Sequence, residues 1–140
     1  MIRDGAIALD GDVIVAVGPR AELEPRYGKA ERLDAILLPA LVNAHLHLEV
    51  SHLEGRVPGG EGLPRWIGAF VATRAQALEA DEAPAMACAV EALRAGGVAA
   101  VGDVSNTLAS VAPLAAAGLQ GSVYHEIFGM TPERVASALA

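Results

Sequence analysis

The sequence predicts a mixed α/β protein in which a β-hairpin precedes a parallel sheet. The first observation is an Asp10-Gly11 pair between two short apolar runs, which is typical of a hairpin. The second is an alternation of apolar strand-like runs with stretches of helical periodicity after residue 37. Such alternation indicates strand–helix–strand units, whose strands pair in parallel.

The hairpin is predicted in residues 1–37. Its strands are the apolar runs over residues 6–9 and 13–17, and Gly18-Pro19 ends the second run. The residues by themselves indicate a generic β-hairpin.

The next predicted strand ends in two histidines. An apolar run over residues 36–42 leads through Asn43 to His45-Leu46-His47. Side chains at i and i+2 of a strand lie on one face, so His45 and His47 would project together. Imidazole is the commonest metal ligand, and a hydrolytic zinc site takes about three protein ligands plus water. The two histidines therefore fit part of a metal site, although the tripeptide alone also fits a chance pair of hydrogen-bonded histidines.

The remaining helices and strands are predicted from residues typical of helix and strand ends and from hydrophobic periodicity. A loop rich in Gly and Pro precedes a helix that starts near Pro64 and carries Trp66. Later helices end at glycines or begin with a Thr-Pro pair, as helix termini commonly do. The predicted segments are helices over 83–95 and 108–117, strands over 98–101 and 121–127, and a helix that begins at 131.

One segment resembles a known family. It reads Pro39-Ala-Leu-Val-Asn-Ala-His-Leu-His-Leu-Glu49, followed by Val50-Ser51. This is similar to the first barrel strand of the amidohydrolase superfamily, except that Ala40 stands where glycine is usual. The resemblance is strongest to the deaminase and chlorohydrolase branch, which includes the aminodeoxyfutalosine and adenosylhomocysteine deaminases. Residues 4–19 likewise resemble strands of the small β-sandwich domain of this family.

The resemblance implies a (β/α)₈ barrel, which needs eight strand–helix units and about 250 residues. About three such units are predicted here. We therefore expect residues 1–37 to be a partial, composite β-sandwich domain and residues 38–140 to be the first βα units of a truncated metal-dependent hydrolase barrel. An N-terminal fragment of this kind is expected to be inactive by itself.

The activity implied by the resemblance is hydrolytic deamination of a purine-like or other nitrogen heterocycle by metal-activated water. One divalent ion is expected, zinc most often and iron in some relatives, with His45 and His47 as two of its ligands. Trp66 and Glu126 are expected to contact the substrate. A Trp on an apolar helical stripe also fits a core position, and Glu126 also fits a simple rim carboxylate, with His125 on the opposite face of the strand.

Other polar residues receive simpler interpretations. His47-Leu48-Glu49 superficially matches the His-x-Glu of cytidine deaminases, but that fold needs a Pro-Cys-x-x-Cys partner, and Cys88 is the single cysteine. Cys88 is predicted to be a buried thiol, His52 to be solvated in a loop, and Asp103 to cap the turn that follows its strand.

Composition narrows the class of protein. The net charge of −7 and the absence of a basic cluster argue against nucleic acid as a partner. No apolar run approaches the ~18 residues needed to span a membrane, so a cytoplasmic protein is expected.

The complete protein is expected to be a homodimer. Two alternatives stay open: hydrolysis of amide or ring C–N bonds, and a non-catalytic remnant or interaction module.

Overall fold

The computed structural model describes residues 1–127 and 131–138. The chain divides into two compact units, Met1–Leu38 and Pro39–Ala140. No helix in the described residues is both long enough and apolar enough to cross a membrane.

The first unit is a hairpin followed by a short helix. Strands β1 (Gly5–Asp10) and β2 (Val13–Pro19) pair antiparallel, and helix α1 (Arg20–Tyr27) follows directly. The hairpin agrees with the Asp-Gly prediction. The sequence did not predict α1, because Pro25 lies inside it and proline disfavours a helix interior.

The second unit contains a parallel sheet of three strands in the order β3–β4–β5. This confirms the predicted mixed α/β class. A 3-10 helix (Leu48–Leu53) follows β3, and a shorter one (Glu79–Asp81) precedes α3. The strands and helices are β3 (Leu41–Leu46), α2 (Leu63–Gln76), α3 (Glu82–Ala95), β4 (Val98–Ser105), α4 (Val111–Ala116), β5 (Gln120–His125) and α5 (Pro132–Ala138).

The core of this unit lies between the sheet and helices α3 and α4. It is formed by five buried apolar residues: Leu48, Met86, Val90, Val101 and Leu114. Because the strands are parallel, their carboxyl ends meet at one edge of the sheet. The segments after β3, β4 and β5 therefore lie side by side, and the candidate site is built from them.

Cys88 is exposed, so the prediction of a buried thiol was wrong. Met86 and Val90 point into the core from α3, and Cys88 lies two residues from each. Residues two apart on a helix point in widely different directions. The thiol therefore faces away from the core even though the surrounding sequence is rich in alanine.

Candidate metal centre

The two histidines of the His-x-His motif meet at the carboxyl end of β3. Their Nε2 atoms lie 3.2 Å apart, and their ring centroids are separated by 5.2 Å. Two nitrogens that bind one tetrahedral zinc at ~2.0–2.1 Å are about 3.3 Å apart. The observed separation fits two ligands of one ion, and it also suits a hydrogen bond between the rings. Both histidines are exposed, so their outer faces are accessible to a further ligand.

Main-chain contacts hold the segment that carries these histidines. The amide of His45 donates to Asn43 Oδ1 at 3.3 Å, and the amide of Leu48 donates to Asp103 Oδ1 at 2.9 Å. Asp103 is fully buried near the end of β4, where it pairs with Leu46. The prediction that Asp103 caps the turn after its own strand was wrong. Its carboxylate instead binds the neighbouring strand connection, immediately after His47.

Glu49, which follows His47 by two residues in the sequence, is a second buried carboxylate. β3 ends at Leu46, and the 3-10 helix that follows turns Glu49 toward the end of β4. Its Oε2 accepts hydrogen bonds from the hydroxyls of Ser105 and Thr107 and from the amides of Asn106 and Thr107. Burial raises the pKa of Glu49, but these hydrogen bonds together outweigh burial, so its pKa lies below the usual value for a glutamate.

The other oxygen of this carboxylate pairs with Arg74 on α2. Arg74 Nη2 lies 3.2 Å from Glu49 Oε1, and Arg74 Nη1 donates to Asn106 Oδ1 at 3.1 Å. No residue of α2 is buried, so this helix does not pack on the rest of its unit through a fully buried apolar face. Arg74 therefore ties the last turn of α2 to the segments that follow β3 and β4.

The two residues predicted to contact substrate lie apart from the histidine pair. Trp66 is 40% exposed on α2 and stacks on Phe70, with ring centroids 5.3 Å apart. Glu126 directly follows β5, and its carbonyl accepts a hydrogen bond from Asn106 Nδ2 at 2.8 Å. In the described part of the chain, neither residue contacts His45 or His47 through a hydrogen bond or a ring contact. Phe128 and Gly129, which complete the Glu-x-Phe-Gly pattern, lie outside the described residues.

His52 differs from its prediction. Its side chain is only 1% exposed, and neither ring nitrogen has a hydrogen-bond partner. Glu82 lies at the start of α3, and its Oε1 is 4.0 Å from His52 Nε2. His52, which belongs to the 3-10 helix, thus packs toward α3 rather than being solvated in a loop. Its burial depends on helix packing, which the neighbouring residues in the sequence do not predict.

A complete set of metal ligands is not assembled by residues 1–127 and 131–138. These residues contain no group of three or more His, Cys, Asp or Glu side chains placed to hold an ion. His45 and His47 are therefore a partial site. Additional ligands would have to come from outside this group of described residues.

A family model matches the first unit. Residues 5–30 match the imidazolonepropionase-like composite domain of bacteria. This range covers the hairpin and α1. It lies within residues 1–37, which the sequence predicts to be a partial, composite β-sandwich domain.

Curated relatives match parts of the chain. A 5-methylthioadenosine/S-adenosylhomocysteine deaminase from Nitratidesulfovibrio vulgaris is 34% identical over 101 residues, which cover 69% of this chain and 23% of the relative. An imidazolonepropionase from Chloroflexus aggregans is 41% identical over 51 residues, which cover 34% of this chain and 12% of the relative.

A solved structure matches nearly the whole chain. The crystal structure of Helicobacter pylori aminofutalosine deaminase, a complex with methylthio-coformycin, aligns with a TM-score of 0.83 and 29% identity. The alignment covers 99% of this chain and 34% of that protein. The chain thus spans at most about a third of the length of these similar proteins.

Proposed function

We propose that this chain, which belongs to the amidohydrolase superfamily and is related to its deaminases, supplies the first two metal ligands of a hydrolytic deaminase. The deaminase relatives act on nucleoside derivatives, as their names state. We infer the same substrate class for the complete protein, namely a purine-like or other nitrogen heterocycle. The cytoplasmic location and the homodimer expected from the sequence remain proposals of the same kind.

The observation that carries this proposal is the 3.2 Å separation of the two Nε2 atoms at the carboxyl edge of a parallel sheet. Active sites of parallel α/β folds lie at this edge. The donor set is also suitable, because neutral imidazoles bind zinc or iron and leave room for water. We propose one divalent ion, zinc or iron, with His45 and His47 as its ligands from the carboxyl end of β3.

The reaction would be hydrolysis at an amidine carbon, in which the oxygen of water replaces the amino group and ammonia leaves. A bound divalent ion supplies hydroxide at neutral pH, since it lowers the pKa of its water from 15.7 toward about 7. The protein's part is to hold the ion with His45 and His47. Trp66 offers an exposed aromatic face for stacking on the heterocycle, and the Glu126 carboxylate offers an acceptor for its N–H or hydroxyl groups.

Hydrolysis of a ring or amide C–N bond is the second candidate. It is favoured by the composite-domain match over residues 5–30 and by the imidazolonepropionase similarity. The histidine pair would serve both reactions, because in each of them a divalent ion held by His45 and His47 would supply the hydroxide that hydrolysis of a C–N bond needs. Comparing ammonia release from aminopurine nucleosides with ring opening of an imidazolone separates the two.

The test is the double variant H45A/H47A in the complete protein that contains this chain. We expect the bound metal to fall from about one ion per chain to near zero and ammonia release to fall to background, because about three protein ligands are needed. His125→Ala removes another exposed histidine and serves as the control for metal content. Elemental analysis that finds unchanged metal in the double variant would contradict the assignment.

A further inference from the structure

We propose that Glu49 is a positioning residue of the metal centre, an inference that rests on the proposed function. Glu49 lies two residues after His47 and is only 4% exposed. Its carboxylate binds the segment that follows β4, and this contact holds the main chain that carries His47. The Glu49 network consists of Glu49, Arg74, Ser105, Asn106 and Thr107.

One carboxylate oxygen accepts most of the hydrogen bonds in this network. Glu49 Oε2 accepts hydrogen bonds from Ser105 Oγ at 2.8 Å, Asn106 N at 2.9 Å, Thr107 Oγ1 at 2.9 Å and Thr107 N at 3.0 Å. All four donors belong to three consecutive residues at the end of β4. Hydrogen bonds to an ionised acceptor are shorter and stronger than neutral ones. The oxygen is thus held in one place relative to β4.

His47 is followed by two anchored residues. The amide of Leu48 donates to the buried Asp103 carboxylate at 2.9 Å, and the next residue is Glu49 itself. The first contact is made to β4, which pairs with β3, and the second is made to residues 105–107, where β4 ends. Since only two peptide units separate His47 from Glu49, a displacement of Glu49 would be transmitted to His47. The main chain beside this ligand is therefore fixed by two carboxylates.

The same network also reaches the end of β5. Asn106 Nδ2 donates to the carbonyl of Glu126 at 2.8 Å, and the amide of Glu126 donates to Ser105 O at 2.9 Å. Glu126 is the proposed substrate contact on this strand. The Glu49 network thus joins the segments that carry His47 and Glu126.

A contribution to stability alone is a weaker explanation for this arrangement. Burying the Glu49 carboxylate costs desolvation, and the side chain of its partner Arg74 is 33% exposed. The attraction within such a pair often fails to offset that cost, so the pair adds little net stability. The network instead supplies directional contacts from residues 105–107 and Arg74 to a residue beside a ligand. Outer contacts of this kind orient metal ligands.

The experiment measures zinc affinity of Glu49→Gln in the complete protein by competition with a chelator, well below the melting temperature. The amide group introduced by this substitution presents its NH₂ either to Arg74 or to the donors at the end of β4, so one side of the network is lost. We expect zinc to bind about 10- to 100-fold more weakly and kcat to fall with little change in KM. Glu91→Gln, which alters an exposed carboxylate paired with Arg94, is the matched control.

A second pair of variants tests the proposal even if Glu49→Gln does not fold. Thr107→Val removes one hydrogen bond to Glu49, whereas Thr107→Ser keeps the hydroxyl. We expect Thr107→Val to weaken zinc binding by less than about tenfold and Thr107→Ser to match the wild type.

The outcomes separate the two proposals. Folded Glu49→Gln that binds zinc within twofold of the wild type overturns the positioning role, whether or not its melting temperature falls. If Glu49→Gln does not fold, equal zinc affinity of Thr107→Val and Thr107→Ser overturns that role. Wild-type zinc affinity in H45A/H47A, which retains Glu49, refutes the proposed function itself.

Discussion

Replacement of Gly102 by alanine should disturb both the sheet and the proposed metal centre. Gly102 is buried in β4, where a Cβ would lie 2.5 Å from the carbonyl oxygen of Ala44 and 3.1 Å from its carbonyl carbon. Both atoms belong to the backbone of β3, which cannot rotate away as a side chain would. Ala44 immediately precedes His45, so the displacement begins next to a proposed ligand.

The magnitude follows from these distances. An ordinary C···O contact of about 3.3 Å requires β3 and β4 to separate locally by roughly 0.8 Å. Overpacking of this kind costs about 1–3 kcal/mol of unfolding free energy. Metal sites tolerate errors of about 0.2 Å in ligand distance. The shift therefore exceeds the tolerance of a histidine pair whose Nε2 atoms are 3.2 Å apart.

The assay compares urea unfolding midpoints and zinc content of Gly102→Ala with the wild type in the complete protein. Gly59→Ala is the matched control, because Gly59 lies in a loop where a Cβ would meet nothing within 4 Å. We expect that control to change stability by less than about 0.5 kcal/mol. A Gly102→Ala protein with unchanged midpoint and full zinc content would refute the argument that close approach of β3 and β4 fixes the site.

Three other outcomes are expected. Arg74→Met should lower the unfolding free energy by about 1.5–3 kcal/mol in denaturant titrations, since it removes the charged hydrogen bond that buried Glu49 accepts from Arg74. Arg94→Met, which breaks only an exposed pair, should cost under about 1 kcal/mol, and equal losses of the two variants would contradict this reasoning. Two hydrogen bonds from Arg20 hold the pKa of Asp4 below its usual 3.8, so the stabilisation from this pair is present above pH 3.8 and is lost as the pH falls through the lower, folded pKa. Carboxyl NMR titration should show that Arg20→Gln moves the pKa of Asp4 back toward 3.8, and an unchanged titration would exclude the arginine as the cause. The isolated 140-residue chain should release no ammonia above background from adenine and guanine nucleosides, because its described residues bring together only two candidate ligands; robust turnover would disprove the partial-site interpretation.

Local sequence determined the features that depend on residues close together in the chain. The Asp10-Gly11 turn, the alternation of strands and helices, and the pairing of His45 with His47 all follow from spacings of a few residues. Strand periodicity alone places residues i and i+2 on one face, and the two imidazoles are found together at the end of β3. The same reasoning failed for α1, because Pro25 masks a helix that the structure forms directly after the hairpin.

Tertiary structure decided which polar groups are buried and what they bind. Glu49 meets hydroxyl and amide donors 56–58 residues away, and Asp103 binds the amide of Leu48 across the strand pair. No local pattern distinguishes these carboxylates from solvated ones, just as none distinguishes buried His52 from exposed Cys88. Sequence spacing specifies the direction of a side chain relative to its neighbours in the chain. Its burial and its partners depend on which strand or helix packs on that face, and that is determined only when the sheet and helices assemble.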